Sequence, residues 1–244
     1  YLERAEAVKY ERLEDAYLPR FDVVYTASED DRAALARRYG SAGRFVHVPN
    51  AVRIPAGAPA KRAGGGPFTF LCVGTLNYYP NEDAALLLCR DVLPLVREQA
   101  GRGGREVRLV IAGALPSAAV RALAETPGVL VMADVPDLAP LYRDADVVVA
   151  PLRAGGGTRI KILEAFSHRR PVVTTTIGAE GLDVRHGEHL LIANTPAALA
   201  DACVELLRRP ERACAMAQRA FTLVRSAYGF EHVQELIRRT VQAC

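Results

Sequence analysis

Two hydrophobic rhythms alternate along most of the chain. Short runs of consecutive Val, Ile and Leu are separated by stretches whose apolar residues recur every three to four positions. The runs predict strands at 68–74 (FTFLCVG), 105–113, 128–133, 145–152, 170–176 and 189–193. The helical spacing predicts helices at 82–99, 116–125, 136–145, 158–169 and 196–209, and an amphipathic last helix from Phe230. Strands that are apolar throughout, rather than on alternate residues, belong in a parallel sheet covered by helices on both faces. The fold class is therefore α/β. In such sheets ligands bind beyond the carboxyl ends of the strands, near the point where strand order reverses.

Ahead of this series stands a smaller α/β unit. Residues 1–20 are charged and helical in spacing, with Pro19 closing them. FDVVYTAS then predicts a short buried strand, since Val23, Val24 and Tyr25 run together. Ser28 is a suitable N-cap for the helix EDDRAALARRY, which is acidic in its first turn and basic in its last, as the helix dipole prefers. RFVHVPN predicts a second strand. Between the two units, 51–66 is dominated by Ala, Gly and Pro and loses both periodicities, which predicts an interdomain linker.

Composition narrows the functions. Half of the 244 residues are hydrophobic and 24% are charged, as in ordinary globular domains. A formal charge of +3 and the absence of Trp give no broad basic or aromatic platform for nucleic acid. The five cysteines are odd in number, scattered and free of CxxC spacing. No disulfide framework or zinc site is expected, and a reducing cytosol is. No stretch reaches the roughly 20 apolar residues that a membrane span needs. The start at Tyr1, inside a helical pattern, leads to the expectation of a piece of a longer protein.

Two loops at the expected position have unusual sequences. Gly74-Thr75-Leu76-Asn77-Tyr78-Tyr79-Pro80-Asn81 follows the first strand of the large domain. Glycine there admits a ligand close to the backbone, and the next helix offers free N–H groups to an anion. The bland alternative is a strand-to-helix turn with Asn81 as N-cap. In the second loop Gly155, Gly156 and Gly157 run into a helix that Thr158 would cap, with Arg159 and Lys161 in its first turn. Cations there oppose the helix dipole, a conflict that a bound diphosphate would remove. The alternative is a solvated basic turn. Glu164 interrupts the apolar run Ile160, Ile162, Leu163, Ala165, Phe166, and a carboxylate in that setting needs a partner. Ribose hydroxyls could supply one, as could an ion pair with Lys161.

With these loops on view, PNAV at 49–52, VGTLNYYPNEDA, ADVPDLAPLYRDADVVVAPL, GGGTRIKILEAFSHRRPVV and IGAEGL, in this order along the chain, resemble glycosyltransferase family 4. The resemblance covers nearly the whole chain, in a branch associated with bacterial exopolysaccharide and other surface glycans. It implies the GT-B architecture of two Rossmann-like domains facing a cleft. Residues 1–50 would be the end of the acceptor-side domain, 67–225 the donor domain and 226–244 a crossover helix. The implied chemistry is a retaining, hexosyltransferase-type transfer from a UDP- or GDP-sugar to a glycan or lipid-linked acceptor. No cofactor or metal is implied, because cationic side chains and a helix N-terminus hold the leaving group.

By position, the resemblance gives Arg159 and Lys161 to the diphosphate as the catalytic pair, with Gly74 and Thr75 completing its cradle. Glu164 goes to the ribose, Gly155, Gly156, Gly157 and Thr158 to the donor loop, and Met132, Ala133 and Val135 to the base. Cytoplasmic placement follows, with peripheral membrane association through the acceptor-side domain. Two departures stand out. Gly156 occupies the place of the family's first glutamate, and the NYYPN loop lacks the Arg and Lys that many relatives carry there. Other readings are a non-catalytic binding module and a nucleotide-sugar 2-epimerase, and the chain alone is expected to bind donor more than to turn it over. His168 reads as an ordinary position and Glu180 as a loop acid. His186 and His189 are not read as a metal site.

Overall fold

The computed structural model describes residues 2–40, 44–57, 66–101, 105–155 and 159–242. Helix α1 (Leu2–Tyr17) ends in a 3-10 turn through Pro19 and leads to β1 (Val24–Thr26), α2 (Glu29–Tyr39) and β2 (Phe45–His47). The two strands pair in parallel, Val24 opposite Phe45 and Thr26 opposite His47. The Ser28 hydroxyl caps α2 by accepting from the Asp31 N–H at 3.1 Å. β1 differs from the buried strand expected, since Tyr25 is 42% exposed. The physical reason is that one helix, α2, covers only one face of this two-stranded sheet.

The start of the Ala/Gly/Pro-rich stretch is not free. Val52 is buried, its N–H donates to Tyr228 O at 2.8 Å, and its carbonyl accepts from the Phe230 N–H at 3.1 Å. Residues 58–65 of the expected linker lie outside the described residues.

Beyond it come β3 (Phe68–Val73), α3 (Tyr79–Leu87), α4 (Leu93–Gly101), β4 (Val107–Gly113), α5 (Ala118–Ala122), β5 (Val129–Ala133), α6 (Ala139–Asp144) and β6 (Val147–Ala150). The chain continues through α7 (Ile160–Ser167), β7 (Val172–Thr174), α8 (Thr176–Ala179), β8 (Leu191–Ile192), α9 (Pro196–Arg208), α10 (Pro210–Leu223) and α11 (Phe230–Gln242). The helix expected at 82–99 is interrupted by a π-helical turn at Leu88–Val92, where the Leu93 N–H reaches back to Leu88 O. Pro94 follows at once and has no N–H to continue the regular ladder. The strand expected at 170–176 stops at Thr174, because the Thr175 hydroxyl accepts from the Gly178 N–H and starts α8.

Six parallel strands lie in the order β5-β4-β3-β6-β7-β8. The chain steps outward from β3 to β5 and then returns to the other side of β3, so strand order reverses between β3 and β6. Alternate residues of each strand feed two cores. Phe68, Phe70 and Cys72 join Leu109, Ile111 and the α3, α4 and α9 side chains on one face. Leu71 and Val73 join Val110, Val148 and α7 side chains such as Ile162 and Phe166 on the other. Each such fully buried side chain contributes about 1.5–3 kcal/mol. The reversal point is therefore held by rigid strands packed on both faces.

Candidate functional site

At the carboxyl ends of β3 and β6 lies a cavity of about 460 Å³. Its floor is backbone. A Cβ on Gly113 would stand 1.7 Å from Gly74 O, and Gly113 has φ +154°. The loops after β3 and β4 therefore meet main chain to main chain, with the Leu76 N–H donating to Ala114 O at 2.8 Å. A Cβ on Gly74 would stand 2.6 Å from Asn81 Cγ. Both glycines are required by close approach.

Asn81 is not an N-cap. Helix α3 begins at Tyr79 with Tyr78 as its cap residue, and Pro80 occupies the first turn. Asn81 instead sits within that turn, 8% exposed. Its Nδ2 donates to Thr75 O at 3.0 Å, and its Oδ1 accepts from Lys161 Nζ.

Helix α7 supplies the charges. Ile162, Leu163, Ala165 and Phe166 are buried, which leaves Lys161 and Glu164, three residues apart, on the face that lines the cavity. Among the described residues no ion pair joins them. Glu164 Oε2 accepts from the Tyr142 hydroxyl at 3.0 Å, and the Tyr142 ring stacks on His168 at 4.7 Å. Burial holds the Lys161 ammonium below the usual lysine pKa of 10.5, with Cys72 and Glu164 opposing. Burial likewise pushes the Glu164 carboxyl above 4.5, against the Tyr142 hydrogen bond and the Lys161 charge. Lys161 and Glu164 thus have hydrogen bonds that go to neutral groups.

Arg159, expected at the diphosphate, already has partners within the chain. It is the cap residue of α7 and is 6% exposed. Its Nε and Nη2 donate to Ile177 O at 3.2 and 3.0 Å, and Nη2 also donates to Gly155 O at 2.6 Å. Glu180, largely exposed, comes within 3.9 Å of the same guanidinium. The residue still lines the cavity, but these donors brace its own loop. The expected cap at Thr158, with Gly156 and Gly157, lies outside the described residues.

The other expected residues divide. Gly74, Thr75, Lys161, Glu164 and Val135 line the cavity, whereas Met132, Ala133 and Gly155 do not. β5 ends at Ala133, and Asp134, with φ +50°, turns the chain so that Val135 returns to the opening. The Asp134 carboxylate fixes that turn by accepting from the Leu115 N–H at 3.1 Å. Gly155, with φ +107°, packs towards Pro80, while Arg153 ion-pairs with Asp83 and ties the glycine loop to α3.

Sequence reasoning missed Gly113, Leu138 and Tyr142. A glycine directly after a strand was the available signal for the first, and the other two carried none. His168 is half-buried, and burial lowers its pKa below 6.5. His186 and His189 accept backbone N–H bonds through Nδ1. Among the described residues no three His, Cys, Asp or Glu side chains group as a metal would need, and no helix is long and apolar enough to cross a membrane.

A second cavity, of about 410 Å³, opens at the other end of the sheet, between Phe68, Asp146, Arg170 and helices α9 and α10. It contains none of the expected residues. Its size is comparable, so size does not decide between them. The first cavity lies where the strand order reverses and where the glycine loops converge.

A phosphatidyl-myo-inositol mannosyltransferase of Mycobacterium leprae is 32% identical over 169 residues, covering 67% of this chain and 44% of its own. An uncharacterised 44.6 kDa protein of the Klebsiella pneumoniae cps region is 29% identical over 97 residues, 40% of this chain and 25% of its own. The chain thus spans less than half the length of these curated relatives. Among solved structures, Anabaena HepE in complex with UDP and glucose superposes with a TM-score of 0.72 at 15% identity, covering 92% of this chain and 64% of that one. Sucrose-phosphate synthase from Thermosynechococcus elongatus gives a TM-score of 0.71 at 20% identity, covering 96% and 62%. These likenesses establish the GT-B type of fold. The family model for glycosyl transferases group 1 matches residues 67–209, from the start of β3 to the end of α9, and the chain belongs to that family.

Proposed function

We propose that this chain carries the donor side of a retaining hexosyltransferase that uses a UDP- or GDP-linked sugar. The observation that carries the reading is the pairing of Lys161 and Glu164 on one face of α7, opposite Gly74 and Thr75, at the reversal of strand order. A diphosphate on the glycine floor meets the Lys161 ammonium, which stabilises the charge that develops on the leaving group as the glycosidic bond breaks. Glu164 accepts from ribose hydroxyls and Val135 borders the base. Arg159 adds positive potential at the start of α7 while bracing the loop. This set of groups serves a leaving diphosphate without a metal ion.

Residues 1–50, 51–66, 67–225 and 226–244 take the parts of acceptor-side domain, linker, donor domain and crossover helix. The mannosyltransferase and cps-region relatives support a role in bacterial surface glycan assembly, with a glycan or lipid-linked acceptor held largely by the acceptor-side domain.

Isothermal titration of the chain with UDP and GDP tests the reading. One nucleotide should bind, and the double variant Lys161→Ala, Glu164→Ala should weaken it by about 100-fold, the equivalent of roughly 2.7 kcal/mol. If the folded chain binds neither, or the double variant binds as well as wild type, the donor site is elsewhere.

A further inference from the structure

We propose that Asn81 is the positioning residue for Lys161, and that through it the site discriminates a nucleoside diphosphate from its nucleoside. The inference rests on the donor-site reading above and adds a residue to it.

The argument begins with hydrogen-bond capacity. A carbonyl oxygen can only accept and an ammonium can only donate. Thr75 O and Lys161 Nζ therefore demand opposite ends of the group between them, and a side-chain amide has both. Asn81 meets them as Nδ2 to Thr75 O and Oδ1 from Lys161. This pair of partners also fixes which amide atom is which.

The placement is equally constrained. Asn81 is buried in the first turn of α3, Thr75 follows β3 and Lys161 is in the first turn of α7. One amide thus joins three segments that line the cavity. Gly74 makes room for it, since any side chain there would overlap Asn81.

The consequence concerns where the charge stands. A lysine side chain is a point charge on a flexible stem and loses much rotamer freedom when held in one place. Asn81 holds the ammonium against the loop that begins at Gly74 without neutralising it. A carboxylate at the same position would cancel the charge and face Thr75 O with a second acceptor. In a loop that lacks a cation of its own, reading NYYPN, fixing the lysine of another helix does the work that an added charge would do.

Titration of the full chain with UDP and uridine, or GDP and guanosine if the guanine nucleotide is the one bound, tests this. Thermal melts show that each variant is folded. Asn81→Ala should weaken diphosphate binding about tenfold and leave the nucleoside unchanged, and Asn81→Asp, isosteric, should weaken the diphosphate further. In a Lys161→Ala background, Asn81→Ala should add less than about twofold, the non-additivity expected of groups that act as a unit. Equal loss of diphosphate and nucleoside, or full additivity with Lys161→Ala, overturns the positioning role. Unchanged diphosphate binding by Lys161→Ala would instead overturn the underlying donor-site reading.

Discussion

The two ends of the six-stranded sheet each open into a cavity of similar volume, about 460 Å³ at the carboxyl end and about 410 Å³ at the amino end. Both contain buried charge. At the amino end the charges answer one another. Asp146 accepts from the Thr69 N–H at 2.9 Å, lies 3.7 Å from Arg105 and offsets the burial of Arg170. Arg170 in turn donates to the carbonyls of Ala145 and His168. At the carboxyl end the hydrogen bonds of Lys161 and Glu164 go to an amide and a phenol. The floor there is also glycine backbone, whereas the amino end is walled by Phe68, Leu206 and Leu207. A charge matched by an opposite charge is part of the scaffold. A charge held by a neutral group keeps its field for something else.

The largest effect that this contrast predicts is on stability at the amino end. Asp146→Ala removes the acid beside a guanidinium that is 4% exposed, and leaves the Thr69 N–H without that acceptor. Breaking one half of a buried charge pair costs about 3–5 kcal/mol. Urea unfolding should show this loss, with nucleotide affinity in the surviving folded protein within about twofold of wild type. A variant of undiminished stability that no longer bound nucleotide would reverse the assignment of the two ends.

A smaller effect on stability, but a direct one on the site, is expected from Gly113→Ala. The added Cβ would fall 1.7 Å from Gly74 O in a backbone region that L residues rarely adopt. Separating the two loops should cost about 2–3 kcal/mol of stability. Unlike Asp146→Ala, it should also lower diphosphate affinity by about tenfold or more, because the floor itself moves. Thermal melts and titration of the same preparation check both parts. A folded Gly113→Ala with wild-type affinity would show that the floor does not touch the ligand.

The sequence disclosed the sheet because its strands are buried on both faces, so that each reads as an unbroken apolar run, as in FTFLCV. Glu164 was legible for a related reason, as a carboxylate inside such a run. What could not be read were meetings between distant segments. Asn81 and Lys161 are 80 residues apart, and in sequence Asn81 is a plausible helix cap. Arg159 also donates to Ile177 O, a meeting the sequence hid because Ile177 belongs to α8, which the threonine run 174–176 disguised as strand. Tyr142 gave no sign of turning towards Glu164. Hydrophobic periodicity records burial, and the choice among polar partners is made only when the loops converge.

The least severe intervention at the carboxyl end is pH, and it separates the two site charges. Ribose recognition by Glu164, as proposed, would need the carboxylate, and burial has moved its pKa above 4.5. Affinity should therefore fall as pH drops through that raised value. The proposed diphosphate contact would need the Lys161 ammonium, and burial has moved its pKa below 10.5. Affinity should fall again as pH rises through that lowered value. The terminal phosphate of the nucleotide itself titrates near pH ~6, so the informative quantity is the difference between wild type and variant. Glu164→Gln should show a shallower acid limb and a basic limb moved to lower pH, because the Glu164 charge holds the Lys161 pKa up, whereas Lys161→Arg, which does not titrate in this range, should lose the basic limb. The same Glu164 shift acts oppositely on stability. With the folded pKa raised, the fold binds more protons than the unfolded chain between 4.5 and the raised value, so stability rises as pH falls through that window. Wild type should gain stability on Glu164→Gln over the interval in which it loses nucleotide affinity. Parallel rather than opposed trends in the two measurements would mean that Glu164 does not meet the ligand as a carboxylate.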